Sequence, residues 1–138
     1  MIDKMTEKDL RSVKEFLEFW MKFHSFYSTV IAKDLITKDD EDKFLGTKEM
    51  MRAKYGALRN DMDYKYAAHG RLTDPVKDIL EVNTIRFMSE KNLKKMGEDW
   101  KDSYVFLNNI LERLKMRKRR LEQFNPIGVF LKRVVERG

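Results

Sequence analysis

The stretch "RLKMRKRRLEQF", residues 113–124, sets six basic side chains ahead of its only acid: Arg113, Lys115, Arg117, Lys118, Arg119 and Arg120. Grouped ammonium and guanidinium ions hold phosphates and other anions through charge-assisted hydrogen bonds. From Arg113 to the C-terminus nine Lys and Arg face two acids, Glu122 and Glu136, a net of +7. The preceding 112 residues carry a net of −1, so the whole cationic excess of the chain lies in its tail.

Three partners suit such a run. Solvent and the negative end of a helix dipole account for about two or three of the charges but not for six. Nucleic-acid phosphates fit all of them, and the contact is then salt-sensitive and largely sequence-independent, since no recognition-helix, RRM, KH or zinc-finger pattern accompanies the run. An anionic membrane surface gains about 1 kcal/mol per nearby cation. Beyond the run, Ile127, Phe130, Leu131 and Val134 form an apolar face, with Lys132, Arg133 and Arg137 on the polar side, an arrangement that suits either a lipid surface or docking on the rest of the fold.

Other chemistry is sparse. The chain has no cysteine, which excludes disulfides, thiolate metal sites and Cys nucleophiles. Of its two histidines, His24 lies within an apolar stripe and is expected to hydrogen-bond a neighbour, while His69 sits at a helix end beside Gly70, where a cation faces the dipole. A di-iron bundle needs Glu three residues before His; those positions hold Met21 and Tyr66. Asp39, Asp40, Glu41 and Asp42 are consecutive, unlike the alternating ligands of a calcium loop, and read as acids at a helix start. Asp61 and Asp63 do not share a helix face. The expectation is a protein without catalytic residues, metal or cofactor.

The elements that position these groups are helical. Leu10, Val13, Leu17, Trp20, His24, Tyr27 and Ile31 recur at three- and four-residue spacing, flanked by Phe16, Phe23 and Val30, and then by Phe19 and Phe26, after a cap at Thr6. Apolar residues thus cover about half of this helix, more than the ~100° stripe one partner needs. Either the helix packs between two neighbours, or Phe16, Phe19, Phe23 and Phe26 meet a second copy of the chain. A second helix starts at Thr37 rather than at the rival Thr47, buries Phe44, Met51, Tyr55, Leu58, Met62 and Tyr66, and stops near His69–Gly70. Asp74 and Pro75 open a short helix with Val76, Ile79, Leu80, Asn83 and Phe87 on one face. A phase break near Met88 places a cap at Ser89, and a last long helix along Leu93, Met96, Trp100, Tyr104, Leu107, Leu111 and Leu114 reaches Phe124. Asn125 and Pro126 start a terminal amphipathic helix.

The fold class expected is all-α: an up-and-down bundle of three long helices and one short helix over residues 1–124, plus a short C-terminal amphipathic helix over 125–138, docked or projecting. The N-terminus lacks the apolar run of a signal peptide, and no stretch is long and apolar enough to span a bilayer, so a cytoplasmic protein is expected. The function expected is self-association through the first helix together with a basic surface of Arg113, Lys115, Arg117, Lys118, Arg119, Arg120, Lys132 and Arg133. Homo-oligomers, nucleic acid and anionic membrane are the candidate partners.

Overall fold

The computed structural model describes residues 4–61 and 74–123, which form four helices: α1 (Lys4–Ile31), α2 (Lys38–Asp61), α3 (Pro75–Leu80) and α4 (Glu90–Gln123). Among the described residues there is no strand. Aromatic contacts at Phe16–Tyr55 and Phe23–Phe44 run α1 antiparallel to α2. Contacts from Tyr55 to Asp74 and from Glu41 to Ile85 run the third segment back along α2. Contacts at Trp20–Ser103 and Glu7–Lys118 set α4 antiparallel to α1. Each helix touches its neighbours around a ring, α1 on α2, α2 on α3, α3 on α4 and α4 on α1, giving the expected up-down-up-down bundle.

Local sequence explains the boundaries. At the start of α2, Thr37 Oγ1 accepts from the Asp40 N–H at 3.1 Å while Asp40 accepts from the Thr37 N–H at 3.1 Å, a reciprocal capping box. Lys33 adds an ion pair to Asp40 at 2.9 Å. The early start of α2 therefore holds, and Thr47 lies inside the helix with its hydroxyl bonded to the Lys43 carbonyl. Asp74 caps α3 by accepting from the N–H groups of Val76 and Lys77, with Pro75 first in the helix. Ser89 caps α4 by accepting from the Asn92 N–H at 3.1 Å. Thr6, by contrast, lies within α1 and is buried; helical geometry already begins at Lys4.

Two further expectations need correction. The short helix does not carry its face on to Asn83 and Phe87: α3 ends at Leu80, Phe87 is 75% exposed, and Ile85 takes the core position instead. A row of polar side chains on α2 causes this. Glu41 accepts from the Thr84 hydroxyl and from the N–H groups of Ile85 and Arg86. Lys48 donates to the Val82 carbonyl at 2.9 Å and Arg52 to the Leu80 carbonyl at 2.6 Å. Carbonyls that another turn would have used are thus satisfied from α2.

The wide apolar face of α1 is also used within the chain. Phe16 and Phe23 are buried between α1 and α2, while Trp20 packs on Trp100 of α4 with ring centroids 4.9 Å apart. Phe19 and Phe26 are half-buried against the same core, and the Lys54 ammonium lies 4.3 Å from the centre of the Phe19 ring. The width of the face therefore reflects two neighbours, and Phe16 and Phe23 offer nothing to a second copy. The expected end of α2 at His69–Gly70, with Met62 and Tyr66, and the terminal helix after Phe124 lie outside the described residues.

Candidate functional site

The basic run occupies the last three turns of α4. Leu107, Ile110 and Leu114 are fully buried in the core. Leu121 is two turns beyond Leu114 and faces the same way, yet it is 38% exposed, and Met116 on the outer side is 55% exposed. Exposure thus rises toward the end of α4, although α1 still reaches Lys118 through Glu7.

The six cations are not equivalent. Lys118 is half-buried and pairs with Glu7 of α1 at 3.4 Å. Lys115 is half-buried and reaches Glu112 on its own helix at 3.4 Å. Arg117 is half-buried on the side of the core. Arg113, Arg119 and Arg120 are exposed, and among the described residues no carboxylate pairs with them. Lys132 and Arg133 lie outside the described residues.

Antiparallel packing adds cations that the linear sequence does not bring together. The Glu7–Lys118 contact sets the first turns of α1 beside the end of α4. Lys4, Lys8 and Arg11, at spacings of four and three, are all exposed there. Their helical spacing was visible in the sequence, but not their proximity to residue 118.

The remaining candidates fall into structural parts. His24 is half-buried, bonds the Tyr104 hydroxyl through Nδ1 at 2.9 Å and stacks on Trp100 at 4.4 Å between ring centroids. Burial lowers its pKa from the ordinary histidine value. Asp40 and Glu41 hold backbone, and Asp39 pairs with Lys43 at 3.2 Å. The hydrogen bond from Lys33, followed by that from the Thr37 N–H, holds the Asp40 carboxyl down at about 2. Among the described residues no group of three or more His, Asp or Glu side chains is placed to hold a metal. His69 and Asp63 lie outside the described residues.

Asp74 is the most heavily used carboxylate. Beyond capping α3 it accepts from the Tyr55 hydroxyl at 2.6 Å and from Arg59 at 3.1 Å. Burial, and then the bond to Asp74, push the Tyr55 phenol far above its usual range. This network was missed in the sequence because α2 reads there as a surface helix with ordinary charges. It fixes the α2–α3 seam. No helix of the described residues is long and apolar enough to cross a membrane. Comparison with models of protein families, with curated proteins and with solved structures gave no match.

Proposed function

We propose that this chain is a non-catalytic helical-bundle protein that binds nucleic acid through phosphate contacts at the end of α4. The observation that carries the reading is the exposure of Arg113, Arg119 and Arg120, unpaired among the described residues, near the end of α4, where even Leu121 is 38% exposed. An exposed guanidinium without a carboxylate keeps its full attraction for phosphate, and each contact formed releases condensed counterions. Lys4, Lys8 and Arg11 enlarge the same field. The bundle supplies a rigid base, with Trp20, Trp100 and Leu107 at its centre.

A labelled-oligonucleotide titration at about 50 and 200 mM salt tests it. Binding at low salt that weakens at least about tenfold at the higher salt is expected, given a slope of about 0.9 decade per phosphate contact. Replacing Arg113, Arg119 and Arg120 together by Gln lowers both the affinity and the slope. No binding at the lower salt, or binding only to vesicles of acidic lipid, overturns the reading.

A further inference from the structure

On the reading that the α4 end binds nucleic acid, we infer that its form is double-stranded B-DNA, and that the outer ridge of α4 from Asn109 to Arg120 lies along the major groove. At about 100° per residue, Asn109, Arg113, Met116 and Arg120 form one continuous row on the side opposite Leu107 and Leu114. Met116 stands nearest the crest of this row and is 55% exposed. Arg113 and Arg120 lean to one side of it by about 40 to 60°, and Arg119 and Lys115 to the other by about 60 to 100°. With Asn109 and Met116 at its crest and cations on both flanks, Glu112 being the one acid from residue 109 to 120, the ridge matches a groove with a base-edge floor and a phosphate wall on either side.

Dimensions agree. A helix with its side chains is about 10–12 Å across, and the B-form major groove is about 12 Å wide. Asn109 to Arg120 spans about 16 Å at 1.5 Å per residue, or about five base-pair steps. The exposed amide of Asn109 and the thioether of Met116 are the groups that meet base edges. Glu112 on this side is bridged by Lys115 at 3.4 Å, which offsets its charge, so the phosphate contacts of α4 fall to Arg113, Arg119 and Arg120. Lys4, Lys8 and Arg11 extend the Arg119 flank, because α1 lies on that side of α4 through Lys118 and Tyr104. The rest of the bundle lies behind the ridge, so nothing described obstructs the approach.

The other nucleic acids fit less well. The major groove of duplex RNA is deep and narrow and does not admit a helix. Single strands are held by bases stacking on exposed aromatic rings. Among the described residues Phe87 is the one fully exposed aromatic, and it lies at the opposite end of the bundle.

The test titrates the full chain with a labelled DNA duplex, an RNA duplex of the same sequence and the single DNA strand, and maps the DNA complex by dimethyl sulfate protection of guanine N7, a major-groove atom. Duplex DNA bound on the order of tenfold more tightly than either competitor, with N7 protection, is expected. Met116→Glu, exposed and therefore compatible with folding, abolishes N7 protection. Lys91→Gln, at the far end of α4, leaves it intact. Equal binding of the three nucleic acids, or duplex binding without N7 protection, overturns the groove placement and leaves phosphate binding standing. No binding to any of them overturns both.

Discussion

The indole N–H of Trp20 donates to the Ser103 hydroxyl at 2.8 Å, and that hydroxyl donates in turn to the Trp100 carbonyl at 2.6 Å. Both side chains are fully buried, so this relay is a polar link at the centre of the α1–α4 seam, besides the half-buried bond of His24 to Tyr104 and the ion pair of Glu7 with Lys118. Ser103→Ala leaves a buried indole donor without a partner and is expected to destabilise by about 1–3 kcal/mol. Urea unfolding followed by tryptophan fluorescence checks this. A Trp20→Phe/Ser103→Ala double variant loses less than the sum of the single changes, because they share one bond.

Asp74 ties α2 to α3 with one carboxylate. Asp74→Ala removes a helix cap, worth about 1 kcal/mol, and the two bonds from Tyr55 and Arg59 besides. The expected loss is about 4 kcal/mol, with charge-assisted bonds taken at about 1.5 kcal/mol each. Tyr55→Phe keeps the ring and loses only one of these links, so its cost is smaller. Chemical denaturation of the two single variants and the double variant gives the coupling.

The exposure gradient along α4 predicts opposite outcomes for two leucines in the same phase. Leu114→Ala opens a cavity in the core and costs about 2–5 kcal/mol. Leu121→Ala costs under about 1 kcal/mol, since that side chain already meets solvent. Equal losses in thermal unfolding would show that α4 remains covered to its end.

Acid sensitivity follows from the lowered pKa values of Asp40, Glu41 and His24. Asp40 titrates at about 2 in the fold against an ordinary 3.8, chiefly through its bond from Lys33. Between those values the unfolded chain holds more proton, so this stabilisation is complete above about pH 4 and fades toward pH 2. His24, lowered from 6.5 by burial, behaves in the same sense at higher pH. Its contribution is present above 6.5 and declines as pH falls through the lowered folded value. Urea midpoints measured across pH are expected to drop in both windows. Asp40→Asn shallows the lower window and leaves the part due to Glu41, while His24→Gln flattens the upper one.

Much of the bundle is legible in residue spacing. Caps at Thr37, Asp74 and Ser89 are local, because each accepts from a backbone two or three residues away. Phase relations along α1 and α4 likewise identify the seam of Trp20, Trp100, Leu107 and Leu114. Contacts between distant segments are not legible in this way. Phe106 and Ile110 are buried because α3 widens the covered face of α4, which no single helix reveals. Glu41, Lys48 and Arg52 look like surface charges until residues 80–86 are laid across them. Of the candidate site, the charge of residues 113–120 was plain, but the pairing of Lys118 with Glu7 depended on tertiary packing.

The polar row of α2 has a consequence for the order in which the chain organises. Six residues are too few for an isolated helix to persist in water, and the segment after α3 takes its shape from Glu41, Lys48 and Arg52. The third element therefore depends on α2 for its conformation. A chain in which Glu41 is replaced by Ala should begin collapse at an undiminished rate and be slowed in its final consolidation.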